Sequence, residues 1–270
     1  LMDIIGKVYK DYFIKDYTLD GKSHFIDNYY LGGCCNLFED NFILDKTNGA
    51  EPLNYFLICN KNLNKKLSYF KKEFNLELIN VEFETPTALI FENNYDRTSF
   101  VIEDKLLKIK KIREQKSSAA LIFYGDKIYS ESFFNYEQLF IDTAGNNKND
   151  LDYFLESDYL NENTIISISK EYIDNKSVKK FIENKKSTLI LHNPKKTLII
   201  NYLGKIEIPN KYYLSILEKK TNDFKITGLG DKFFTLISYY NYHLKLNLKA
   251  SVIKSQELIS KYINQSINIK

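Results

Sequence analysis

The stretch Thr227-Gly228-Leu229-Gly230-Asp231 puts two glycines and a carboxylate together, and Phe233, Leu236, Ile237 and Tyr240 follow at helical spacing. Asp231 is therefore predicted in the first turn of an amphipathic helix, with the glycines at its start. First-turn N–H groups have no partner inside a helix, and the peptide dipoles add roughly half a positive charge at that end. Such an end binds anions and would stabilise a phosphoryl group in transit, while a carboxylate in the same turn can take the proton from an attacking hydroxyl. A plainer reading makes Thr227 an N-cap, Asp231 a charge that complements the dipole, and the glycines a simple turn. On these residues alone both readings stand.

The elements that must position this stretch alternate between strand and helix. A first strand is expected over 3–8, followed by a polar, tyrosine-rich segment over 11–30 with a turn at Asp20-Gly21. Leu31-Gly32-Gly33-Cys34-Cys35-Asn36 is read as opening a helix that runs to about residue 45. Apolar strands are expected over 52–59, 77–82, 119–124, 139–142, 164–168 and 188–191, and helices over 62–74, 150–155 and 175–185. A hairpin over 87–103 turns at 93–97 and breaks the alternation, and a second, late hairpin covers 196–208. Helices over 233–245 and 251–264 close the chain. This is a mixed α/β pattern with a mostly parallel sheet covered by helices on both faces.

Composition narrows the function classes. The 270-residue chain is 44% hydrophobic with a net charge of +3, and its lysines are interleaved with acids, so no nucleic-acid-binding surface is expected. No apolar run approaches the roughly 20 residues that cross a bilayer, and no signal-peptide pattern opens the sequence, so a cytoplasmic location without membrane attachment is expected. Cys34, Cys35 and Cys59 form no CxxC pair and read as reduced thiols, and His24, His192 and His243 stand apart from any second metal ligand.

Taken in order, Gly6 and Asp11, Gly32-Gly33 with Asn36, Pro86-Thr87 with the hairpin ending at Asp96-Arg97-Thr98, and Thr227-Gly228-Leu229-Gly230-Asp231 resemble the ribokinase-like (PfkB) carbohydrate kinases over nearly the full length. The resemblance implies a single domain over 1–270, a three-layer α/β/α sandwich with a small β lid built from about 11–30 and 85–104. It implies ATP and Mg2+ as cofactors and a small sugar-like acceptor. Asp231 would be the general base and the amides of Gly228, Leu229, Gly230 and Asp231 the anion hole. Asp11, Gly32, Gly33 and Asn36 would line the acceptor site, Arg97 would anchor the lid, and Thr227, Lys225 and Asn193 would lie near the nucleotide. In part of the family the lid joins two copies, so a homodimer through the lid is expected.

The sequence also departs from that pattern. Ser169-Lys170-Glu171-Tyr172 stands where an Asn-x-x-Glu segment helps organise magnesium, so Glu171 reaches the metal from one position away or the metal is held by phosphate and water. Lys225 replaces an aspartate ahead of the glycine turn and meets a nucleotide phosphate or faces solvent. His192-Asn193-Pro194 occupies the place of a glycine-rich phosphate contact. These changes leave open a catalytically weak sugar- or nucleotide-binding member, or a kinase of nucleosides or vitamin-like hydroxymethyl compounds.

Overall fold

A computed structural model describes residues 2–14, 29–37, 53–72, 74–92, 97–102, 104–112, 117–143, 148–168, 176–193, 195–212 and 229–268. Its strands are β1 Asp3–Ile14, β2 Tyr30–Gly33, β3 Asn54–Cys59, β4 Asn75–Asn80, β5 Thr87–Glu92, β6 Arg97–Ile102, β7 Leu107–Ile109, β8 Ala119–Phe123, β9 Ile128–Ser130, β10 Gln138–Asp142, β11 Thr164–Ser167, β12 Thr188–His192, β13 Lys196–Asn201 and β14 Gly204–Pro209. The helices are α1 Asn64–Leu67, α2 Lys148–Leu155, α3 Lys176–Lys185, α4 Leu229–Tyr242 and α5 Leu248–Asn268.

The strands that flank β1 are the most continuously apolar. Every residue of β3 and β8 is buried, as expected of strands covered on both faces. The main sheet runs β14-β13-β12-β11-β10-β8-β1-β3-β4; β12 through β4 are parallel, and β13 and β14 form an antiparallel edge. Alternate residues of each strand serve opposite faces. Ile4, Leu57 and Phe123 pack with Phe234, Leu236 and Ile237 of α4 and Val252 of α5, whereas Ile5, Ile58 and Ile122 pack with Leu151 of α2 and Phe181 of α3. The result is a three-layer α/β/α sandwich.

β1 belongs to two sheets. Asp3 to Gly6 lie between β3 and β8 and Lys7 still pairs with β3, whereas Val8 to Asp11 pair with β2 and Lys10 to Ile14 with β5, which carries β6 on its far side. A side sheet of β2, β1, β5 and β6 thus grows from the carboxyl end of the central strand.

Three local expectations change. The first strand continues past residue 8, because the polar residues from Lys10 onward pair in the side sheet. Gly32-Gly33 ends a strand, and the following turn is a short 3-10 helix, Cys34–Leu37, where a longer helix was expected; residues 38–45 lie outside those described. The helix expected over 62–74 is broken into α1 and two 3-10 turns, with the Ser68 hydroxyl donating to the Lys65 carbonyl at 2.7 Å where α1 ends. Leu63, Leu67 and Phe74 still reach the core, so the periodicity correctly gave the buried face. The short parallel pair β7 and β9 gave no readable pattern in three residues each. The turn at Asp20-Gly21 lies outside the described residues.

Candidate functional site

The strand order points to one place. From β1 the chain moves outward through β3 and β4, then returns to β8 on the other side of β1 and continues through β10, β11 and β12. In open parallel sheets ligands bind beyond the carboxyl ends of the strands where the order reverses, here between β1 and β8.

β1 and β2 build one wall of that place. Their antiparallel register sets Val8 opposite Gly33, Tyr9 opposite Gly32 and Asp11 opposite Tyr30. A Cβ on Gly32 would lie 1.9 Å from Oδ2 of the buried Asp11, so the bare backbone at Gly32 is the surface on which this carboxylate rests. Gly33 has φ +65°, and a Cβ there would stand 2.5 Å from the Lys7 carbonyl oxygen; a side chain is excluded by conformation and by space. The chain then turns through Cys34–Leu37, with the buried Cys34 side chain packed on Gly6.

α4 comes to the same place. Asp231 lies in its first turn, and its carbonyl accepts from Thr235 Oγ1 at 2.8 Å. The helix packs against the Cys34–Leu37 turn, and Asp231 is near enough for its charge to act on Cys34. Burial first, and then that negative charge, push the Cys34 thiol far up, so it stays protonated. Asp231, Gly32-Gly33 and Asp11 are thereby brought to one region from opposite ends of the sequence.

His192, at the end of β12, borders the start of α4. Its Cε1 would lie 3.4 Å from a Cβ on the exposed Gly230, and its ring meets Phe233 edge-on at 5.3 Å. Burial lowers its pKa to about 4, so it is neutral at physiological pH. The adjoining Asn193 side-chain oxygen accepts from the amides of Lys195 and Lys196, both at 2.9 Å, and shapes the turn into β13. Leu229 and Gly230 begin α4, Arg97 begins β6 opposite Glu92, and Asn36 lies in the 3-10 turn. Thr227, Gly228, Lys225 and Glu171 lie outside the described residues. Among the described residues, no three His, Cys, Asp or Glu side chains are grouped to hold a metal ion, and no helix is long and apolar enough to cross a membrane.

Sequence reading missed two lysines here. Lys232 is buried beside Asp231 and donates to Tyr262 Oη of α5 at 3.1 Å. Lys7 is buried on β1 and donates to Asp104 Oδ1 at 2.7 Å and to the Lys105 carbonyl at 2.8 Å, while Tyr9 Oη donates to Asp104 Oδ2. Lys7 and Tyr9 alternate along the strand and so share a face, which is the only trace of this arrangement in the sequence.

No protein-family model matches the sequence, and no curated protein does. Solved structures do. A Methanocaldococcus jannaschii nucleoside kinase described as an archaeal member of the ribokinase family is similar with a TM-score of 0.61 at 15% identity, over 100% of this chain and 99% of its own. An uncharacterized sugar kinase from Pyrococcus horikoshii in complex with ATP is similar at 0.63 and 12% identity, covering 96% and 91%. A pyrophosphate-dependent kinase in the ribokinase family is similar at 0.60 and 13% identity, covering 98% and 95%. The class these likenesses define is the ribokinase-like α/β/α fold. This chain has that fold across its whole described length.

Proposed function

We propose that the protein is an ATP-dependent phosphotransferase of the ribokinase family that phosphorylates a hydroxyl of a sugar or sugar derivative. The observation that carries the reading is the convergence of Asp231, on the first turn of α4, with the Cys34 turn that continues from Gly32-Gly33 and Asp11, beside the β1/β8 reversal.

The start of α4 suits a phosphate tail: it is a helix N-terminus, Gly230 is exposed and without a side chain, and the adjacent His192 carries no charge at neutral pH. ATP would supply the phosphoryl group, and Mg2+, when bound, would offset phosphate charge, with Glu171, outside the described residues, assigned to it from the sequence alone. Asp231 takes the proton from the acceptor hydroxyl, and the amides of Gly228, Leu229, Gly230 and Asp231 hold the anion. Asp11 and Asn36 accept and donate hydrogen bonds to acceptor hydroxyls across the bare backbone of Gly32 and Gly33. Asn193, in the turn after β12, is assigned to the nucleotide side, and Thr227 and Lys225, outside the described residues, are assigned to it from the sequence alone. The side sheet, with Arg97 at the start of β6, acts as a lid that excludes water.

Turnover with ATP, and with pyrophosphate as a second donor, against a panel of sugars, nucleosides and inositols tests the reading. Asp231→Asn is expected to lower phosphorylation by about 10²- to 10⁴-fold, the range for loss of a general base, with melting temperature unchanged. Undiminished phosphorylation by that variant would overturn it. Because β6 pairs only with β5 among the described residues, we also propose that two copies join through their side sheets. A monomer in sedimentation at high concentration would remove that part.

A further inference from the structure

The buried group of Lys7, Tyr9 and Asp104 is not used by the chemistry above, yet it sits where the side sheet joins the core. Lys7 is the last β1 residue in register with β3, and the next residue, Val8, is already paired with Gly33 of the side sheet. Asp104 follows shortly after Ile102, the end of β6, where the chain leaves the side sheet. The Lys7 and Asp104 side chains are only 1% and 5% exposed.

Burying an ammonium and a carboxylate gains little stability over a well-packed apolar pair, but the hydrogen bonds between them are directional. Lys7 and Tyr9 together meet both oxygens of one carboxylate, and Lys7 also holds the neighbouring Lys105 carbonyl. The same two residues border the acceptor wall. The Lys7 carbonyl and the Tyr9 ring fill the space that a Cβ on Gly33 would need, and the Tyr9 ring lies tilted at 42° to that of Tyr124, just beyond β8, with centroids 4.7 Å apart.

We infer that Lys7, Tyr9 and Asp104 are positioning residues: a latch that fixes the angle of the β2-β5-β6 side sheet over the site and, through Gly33, the acceptor wall with it. This rests on the reading of the side sheet as the lid of a kinase, and it predicts that loosening the latch weakens acceptor binding more than phosphoryl transfer.

The test uses the full chain with Lys7→Met and Asp104→Leu combined, so that no buried charge is left alone, and Tyr9→Phe as the milder variant. Hydrogen exchange is expected to quicken at least 10-fold in β5, β6 and Gly32–Leu37 of the double variant, with β10 to β12 unchanged, and by less in Tyr9→Phe. In turnover assays the acceptor KM should rise about 10-fold, with kcat and the donor KM within 2-fold. Unchanged exchange in β5 and β6, or exchange that quickens equally throughout the sheet, would overturn the latch. The exchange readout needs no activity, and Asp231→Asn should leave the exchange pattern as in the parent. Failure of the kinase reading and failure of the latch are therefore distinguishable.

Discussion

The two ends of the main-sheet part of β1 each hold a buried carboxylate, and they are satisfied in different ways. At the amino end, the fully buried Asp3 accepts from Asn54 Nδ2 at 2.9 Å and from Tyr136 Oη at 3.0 Å, and Asn75 Nδ2 donates in turn to Asn54 Oδ1. The two donors to Asp3 are neutral. Burial, and then the Asp3 charge and hydrogen bond, raise the Tyr136 phenol far above its ordinary range, so it remains a donor. At the carboxyl end Asp104 is met by an ammonium, Gly33 holds a left-handed backbone, Gly32 gives way to Asp11, and an acid stands on a helix N-terminus. A left-handed glycine, bare backbone and the Lys7–Asp104 pair gather at one end of the strand, where ligands bind in sheets of this kind. At the other end neutral side-chain donors meet the carboxylate.

If that division is right, the largest effect comes from Gly33→Ala. The left-handed backbone disfavours alanine by about 1–2 kcal/mol, and overlap with the Lys7 carbonyl and Tyr9 adds about 1–3 kcal/mol. A total near 4 kcal/mol is expected in urea unfolding, together with a fall in turnover per folded molecule, because the strand carrying Asp11 must shift. Full turnover by the folded fraction would blur the contrast between the two ends.

Asp3→Ala is the matching change at the amino end. It strips acceptors from Asn54 and Tyr136, and buried donors left without partners cost about 1–3 kcal/mol each. We expect a loss near 3 kcal/mol, with turnover per folded molecule unchanged when the melting curve is used to correct for the folded fraction. A selective rise in acceptor KM would show that the amino end also shapes the site.

Much of this division was legible before the fold was known, but only where the pattern is local. The apolar runs of β3 and β8, the 3.6-residue period of α4 and the place of Asp231 in its first turn all follow from neighbours within a few residues. Gly32 and Gly33 could be read as positions needing bare backbone, although the structure puts them at the end of a strand. The latch was not legible. Asp104 lies 97 residues from Lys7, and a lysine in a strand reads as a surface residue because lysines are seldom fully buried. The continuation of β1 into the side sheet was hidden for a related reason: Lys10 and Asp11 look like a strand end until β2 and β5 pair with them. His192 stands apart from any second ligand in the sequence, and its contacts with Gly230 and Phe233 depend on the meeting of β12 and α4, which no local window contains.

His192 sharpens the comparison by a smaller amount and through pH. The carboxyl end accepts the Lys7 charge where a carboxylate meets it, whereas the surroundings of His192 disfavour charge and lower its pKa from 6.5 to about 4. Above pH 6.5 the folded and unfolded chains both hold a neutral imidazole, so the group contributes no pH dependence there. Between pH 6.5 and about 4 the unfolded chain binds a proton that the folded chain refuses, so stability falls as pH falls through this window and levels off below it. Allowing for the ring's partial contact with solvent, the loss attributable to His192 should be about 2 kcal/mol at pH 4 relative to pH 7. Urea unfolding at both pH values, for the parent and for His192→Gln, isolates it from the carboxylates that titrate in both proteins. The parent should lose about 2 kcal/mol more than the variant; parallel losses would mean that the end of β12 accepts an imidazolium, and that the start of α4 is not kept clear of charge on that side.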